Sequence, residues 1–219
     1  MVKLRLQDVK AVLFDLDGTL VDSSEAIMNA VEKVLESRGL ICNRAKVARM
    51  IGLPLEDIFS VLVPSLSKEE IWQLVHEYRK YYIAHHLENT TINPLAQMIL
   101  RKLKAKGFKL GIITTKYREP VIGVLSYFGI SELFDTVVTG YEVIRHKPAP
   151  DIVLEAAKRL KVNPKQCVIV GDSPLDVQAG KQAGSFTIAV VSSARTRRHM
   201  EGAKPTIVIE KLEKILNIL

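Results

Sequence analysis

Short, nearly unbroken apolar runs alternate with amphipathic stretches along most of this chain. Val9 to Phe14, interrupted only by Lys10, reads as a buried strand, and the strand-like run extends to Leu16. Equivalent runs are Leu110–Thr114, Thr136–Thr139, Val168–Gly171, Phe186–Val191 and Thr206–Ile209. Helical patterns with start and stop signals lie between them. Asn93-Pro94 precedes a segment that reaches Lys106 and stops at Gly107; Asp151–Leu160 is followed by an Asn163-Pro164 turn; Ser173-Pro174 opens Leu175–Ala183, which Gly184 closes. Repeated strand–helix alternation predicts an α/β fold built on a doubly wound parallel sheet.

One stretch departs from this rhythm. From Val21 to Glu88 the pattern is helical, with no convincing strand. Ala26, Ala30, Val34 and Leu35 make one apolar face, and Ile71, Leu74, Val75, Tyr78 and Tyr82 make another. Asp22-Ser23-Ser24 supplies an N-cap signal for the first helix. Gly52-Leu53-Pro54 reads as a turn between helices. The division that follows is a core of residues 1–20 plus 90–219 and a small helical domain of residues 21–89. Trp72, Tyr78, Tyr81 and Tyr82 are expected to pack inside that domain, and His85, His86 and His146 to face solvent.

Composition narrows the class. Hydrophobic residues at 47% and charged residues at 25% are ordinary for a globular protein. No apolar run reaches transmembrane length, so no membrane partner is expected. The N-terminus alternates charge and leucine, unlike a secretory signal, and Cys42 and Cys167 form no disulfide framework, which points to a reducing, cytoplasmic setting. The net charge of +7 suits either nucleic acid or small anionic substrates. The densest basic cluster, Arg195-Thr196-Arg197-Arg198-His199, lacks interleaved aromatics and any zinc-finger or basic-zipper pattern, so nucleic acid is not expected as the main ligand.

The chemistry concentrates in Asp15-Leu16-Asp17-Gly18-Thr19. Two carboxylates stand two positions apart where the first strand gives way to a turn, and ligands of open parallel sheets bind at that end. Paired acids there require a cation, a hydrogen-bond network or a proton. A hard divalent cation such as Mg²⁺ takes oxygen ligands and keeps positions open for phosphate.

With its other motifs the chain resembles the haloacid dehalogenase superfamily, whose members are mostly Mg²⁺-dependent phosphohydrolases. The first motif is Asp15-Leu16-Asp17-Gly18-Thr19. The second is Thr114, ending Leu110-Gly111-Ile112-Ile113. The third is Lys147 in Lys147-Pro148-Ala149-Pro150-Asp151. The fourth is Gly171-Asp172-Ser173 with Asp176, after Cys167-Val168-Ile169-Val170. The resemblance covers essentially the whole chain. It implies that Asp15 is a nucleophile forming an aspartyl-phosphate and that Asp17 is general acid, then base. It also implies that Asp172, the Asp15 side chain and the Asp17 backbone carbonyl ligate Mg²⁺, with Asp176 and Ser173 behind them. Thr114 and Lys147 would hold phosphate oxygens, and Gly18, Thr19 and Thr115 would offer backbone N–H groups. The helical insert corresponds to a cap closing over the site, with Gly52 in a loop that reaches the substrate.

Within that family, Asp17 argues for phosphate chemistry over dehalogenation, Leu16-Asp17 against phosphonate cleavage, and Thr19 against hexose-phosphate mutases. Ile51-Gly52-Leu53-Pro54-Leu55 resembles phosphoglycolate phosphatases, whereas Thr114-Thr115-Lys116 departs from their usual Thr-Asn-Lys. Phosphoglycolate-like substrates therefore come first, then pyrophosphate and small sugar phosphates. The alternatives are a phosphomutase of the β-phosphoglucomutase type and a non-catalytic binder of phosphate ligands or nucleic acid. The expected partner is a small phosphorylated metabolite, and the expected assembly a monomer or homodimer.

Overall fold

The computed structural model describes residues 6–191, 197, 200 and 202–219. In chain order the strands are β1 (Ala11–Phe14), β2 (Val21–Asp22), β3 (Thr91–Ile92), β4 (Lys109–Thr114), β5 (Thr136–Thr139), β6 (Cys167–Gly171), β7 (Phe186–Val190) and β8 (Ile207–Ile209). The α-helices are α1 (Ser24–Glu36), α2 (Arg44–Met50), α3 (Leu55–Leu62), α4 (Lys68–His85), α5 (Ala96–Ala105), α6 (Arg118–Tyr127), α7 (Asp151–Arg159) and α8 (Pro174–Ala183).

Six strands form one parallel sheet in the order β5-β4-β1-β6-β7-β8. Both faces are covered, which explains why the strands read as apolar runs instead of alternating patterns. Val12 and Phe14 point into a core shared with α5 and α6, while Ala11 and Leu13 point into a second core shared with α7 and α8. The chain builds outward from β1 through β4 to β5, then returns to β1's other side with β6. The order therefore reverses between β1 and β6, and that crevice is where open α/β sheets bind ligands.

Local chemistry sets the helix ends. The Asn93 side chain accepts the Leu95 N–H at 3.0 Å, and this turn delays α5 to Ala96, two residues later than the Asn-Pro pair suggests. Ser173 and Asp176 cap α8 reciprocally, and Gly184 ends it at φ 77°, a left-handed conformation that favours glycine.

Helices α1–α4 share an apolar core of their own. It contains the Ala26, Ala30, Val34 and Leu35 face and the Ile71, Leu74, Val75, Tyr78 and Tyr82 face anticipated from the sequence. The expectation of no strand from Val21 onward is corrected at its edge. Val21 and Asp22 pair antiparallel with Ile92 and Thr91, so the chain enters and leaves the four-helix unit through adjacent strands. A two-residue strand is too short to carry a periodicity. Trp72 also departs from expectation, because it is 55% exposed on α4 and does not pack inside the unit. Among the described residues no helix is long and apolar enough to cross a membrane.

Candidate active site

Asp15 and Asp172 flank the crevice where the strand order reverses. Phe14 pairs with Ile112 on β4 and Val170 on β6, and the Asp15 N–H extends the ladder to the Val170 carbonyl at 2.8 Å. Asp15, Thr114 and Asp172 thus lie at the carboxyl ends of three adjacent strands. Lys147, from the segment after β5, closes the arrangement. Its buried ammonium donates to Asp15 Oδ1 (2.8 Å), Asp176 Oδ1 (2.6 Å) and the Ile113 carbonyl (2.8 Å), which uses all three of its hydrogens.

Charge and burial oppose each other here. Burial pushes the Asp15 carboxyl up to about 7, the Lys147 ammonium pulls it back, and the charge of Asp176 adds to the rise. Burial first, then the charges of Asp15 and Asp176, holds Asp172 well above the usual carboxylate range. For Lys147, burial alone would lower the value, but Asp15 and Asp176 more than offset it and keep the side chain protonated.

Two glycines make this crowding sterically possible. Gly18 has φ 85°, and a Cβ there would lie 2.2 Å from Asp172 Oδ2. A Cβ on Gly171 would lie 2.4 Å from the Asp176 carboxyl carbon. Both motif glycines let a carboxylate approach the backbone.

Asp17 lines the same cleft but makes a separate set of contacts. Its Oδ1 accepts from Lys116 Nζ (2.8 Å) and from Ser23 Oγ (2.5 Å), and Lys116 also donates to the Tyr82 hydroxyl on α4 (2.7 Å). Within the Asp22-Ser23-Ser24 cap signal, the Ser23 side chain goes to Asp17, and Asp22 Oδ1 accepts the Ser24 N–H at the start of α1. Thr114 is buried and accepts the Lys116 N–H at 3.2 Å, which leaves its own hydroxyl proton to donate. Thr115 Oγ donates to the Gly52 carbonyl at 2.9 Å, so core and four-helix unit meet directly. Thr19 is buried, and its hydroxyl has no hydrogen-bond partner among the described residues. A cleft of about 430 Å³ collects Asp15, Asp17, Gly18, Gly52, Lys147 and Asp172, and Thr115, Ser173 and Asp176 also line it. Thr114 and Thr19 stand outside its lining.

Sequence reasoning assigned no role to Lys116, although its side chain is only 8% exposed and it is the second lysine paired with the motif acids. Its adjacency to Thr114-Thr115 was the available signal. It also missed a clasp between the two units. The Arg79 guanidinium of α4 lies over the rings of Tyr117 (5.1 Å) and Tyr141 (4.6 Å), and the Tyr141 hydroxyl donates to Glu56 of α3 at 3.1 Å. His86 is a further correction. It is buried, its Nδ1 contacts the Tyr82 carbonyl at 3.0 Å, and its ring stacks on Tyr82. Of the basic cluster only Arg197 falls within the described residues, and it pairs with Glu210 at 2.6 Å.

A family model described as haloacid dehalogenase-like hydrolase matches residues 12–190. The chain belongs to that family. Pyrophosphatase PpaX of Bacillus velezensis is 36% identical over 96% of this chain and 96% of its own length. A haloacid dehalogenase-like family hydrolase from Streptococcus pneumoniae superposes with a TM-score of 0.84 at 28% identity, over 96% of this chain and 98% of that one. A protein from Haemophilus somnus described as a predicted phosphoglycolate phosphatase superposes with a TM-score of 0.88 at 25% identity, again over 96% and 98%. Each likeness runs the length of both chains, so this haloacid dehalogenase-like hydrolase shares their whole architecture.

The donor set suits the hard cation that such a family implies. Carboxylate oxygens of Asp15, Asp172 and Asp176 all lie within 4.8 Å of one another. The Lys147 ammonium pairs with Asp15 and Asp176 but not with Asp172, which has no ion pair among the described residues. A divalent cation would offset the burial and the mutual repulsion that raise Asp15 and Asp172.

Proposed function

We propose that this phosphate hydrolase cleaves a small phosphate ester or anhydride with Mg²⁺ through an aspartyl-phosphate on Asp15. The observation that carries the reading is Asp15 at the strand end, oriented by Lys147, with Asp172 across the crevice. The Asp15 carboxylate attacks phosphorus in line, and the leaving oxygen departs on the opposite side. Lys147 neutralises charge on the incoming phosphate while Asp176 holds it in place. Asp172, the Asp15 side chain and the Asp17 backbone carbonyl would hold the Mg²⁺, which supplies charge neutralisation on the phosphoryl oxygens. Gly18 and Thr115 N–H groups and the Thr114 hydroxyl serve the remaining oxygens. Asp17 lies on the side of the four-helix unit, where it protonates the leaving oxygen and then activates water. That unit acts as a cap, in contact with the core through Thr115–Gly52 and Lys116–Tyr82.

Pyrophosphate is the first substrate to test, because curated relatives named pyrophosphatase match at 31–36% identity along nearly the whole chain. Phosphoglycolate follows, on the Ile51–Leu55 stretch. The experiment is phosphate release with and without Mg²⁺ from pyrophosphate, phosphoglycolate, sugar phosphates and an aryl phosphate. Mg²⁺-dependent release from at least one supports the reading. Folded protein that isomerises a sugar phosphate and releases no phosphate would overturn it in favour of a mutase.

A further inference from the structure

A second, smaller cavity of about 40 Å³ lies between the core and the four-helix unit. It shares Asp17, Thr115 and the Ile51-Gly52-Leu53 turn with the cleft, so it adjoins the cleft on the Asp17 side. Aliphatic and tyrosine side chains make up most of its wall. Lys116 is the one cation among its lining residues, and Asp17 the one acid. Of the three ammonium hydrogens, two go to Asp17 and the Tyr82 hydroxyl, which leaves one to donate.

We propose that this cavity receives the departing part of the substrate, and that Lys116 selects compact leaving groups carrying negative charge, a second phosphate or a carboxylate. The inference rests on the phosphate-hydrolase reading and adds to it the residue that chooses the substrate. Size is the first argument. The cavity has about a tenth of the volume of the cleft it adjoins, so while the helical unit is seated a compact leaving group fits it better than a hexose does. Charge is the second. Lys116 already shares its charge with Asp17, but its third N–H meets an anionic leaving group more strongly than a neutral one, which would leave that N–H poorly met. Position is the third. Asp17, the acid that would protonate the departing oxygen, belongs to both cavities, so the scissile bond falls between them.

The test measures kcat/KM with Mg²⁺ for pyrophosphate, 2-phosphoglycolate, ethyl phosphate and glucose 6-phosphate, in the wild type and in Lys116→Met and Lys116→Arg. Ethyl phosphate is the neutral counterpart of phosphoglycolate, and the two anionic substrates distinguish phosphate from carboxylate. The wild type is expected to favour its better anionic substrate over ethyl phosphate by at least about a hundredfold, with glucose 6-phosphate slowest. Lys116→Met should reduce that ratio to within about threefold, and Lys116→Arg should keep most of it. A ratio unchanged in Lys116→Met while both substrates slow equally would overturn the proposal, since Lys116 would then serve only to hold Asp17. Wild-type turnover of glucose 6-phosphate or ethyl phosphate as fast as the anions would overturn it without any variant. No phosphate from any substrate would remove the hydrolase reading itself, a result distinct from phosphate release without anion preference.

Discussion

Lys147 donates to the Asp15 carboxylate across 2.8 Å from 132 positions further along the chain. The contact crosses the whole helical unit in sequence and is made at the carboxyl edge of the sheet. It orients one oxygen of the proposed nucleophile and places a fixed positive charge where a phosphate would arrive.

Asp15→Asn keeps the size and the backbone ladder but supplies no anionic nucleophile. Turnover should fall by at least about a thousandfold while the melting temperature holds or rises. Phosphate release and thermal denaturation on the same sample check this. Wild-type-like turnover would remove Asp15 from the nucleophile role.

Lys147→Met would leave Asp15 and Asp176 buried beside each other without their shared cation. The expected cost at neutral pH is about 3–5 kcal/mol, read from denaturant unfolding, together with loss of activity. The cost should shrink on acidification, as carboxylates take up protons. A loss below about 1 kcal/mol would mean that the triad behaves like a surface pair.

In chelator, stability should fall as pH rises. The Asp15 carboxyl goes from an ordinary 3.8 to about 7 on folding, so its contribution is fully present below the lower value and is lost as pH rises through the upper one. Asp172 acts in the same direction. The wild type should therefore lose more stability than Asp15→Asn between about pH 5 and about pH 8. Added Mg²⁺ should restore more stability at the higher pH, where fewer protons compete for its ligands. Parallel pH profiles for the two proteins in chelator would contradict this.

Arg79→Ala opens the clasp on Tyr117 and Tyr141. The guanidinium is partly exposed, so global stability should drop by no more than about 1–2 kcal/mol. Activity should suffer more, by about tenfold in kcat/KM, because the helical unit no longer seats firmly over the cleft. Unfolding curves set against steady-state kinetics separate the two effects.

The sheet was legible because its central strands are buried on both faces and therefore spelled as apolar runs, as in Ala11–Phe14 or Cys167–Gly171. The site was legible where function forces unusual residues together, as in Asp15-Leu16-Asp17-Gly18 and Gly171-Asp172. Contacts between distant segments were not. Lys116 and Tyr82 meet across the two units, Arg79 finds its tyrosines in two separate loops, and His86 turns inward against Tyr82. Local periodicity carries no record of such pairings. Trp72 misled because its aromatic character suggested burial where α4 turns it outward.

The antiparallel pairing of Val21–Asp22 with Thr91–Ile92 brings the two ends of the helical unit side by side. A segment whose entry and exit are neighbours can be lengthened, trimmed or exchanged without altering the register of the sheet it leaves and rejoins. Asp15, Asp17, Asp172 and Lys147, to which the proposed chemistry is assigned, belong entirely to the sheet side of that junction. Replacing the detachable part would therefore reshape the wall that faces Asp17 and Lys116, while both residues stay where the sheet puts them.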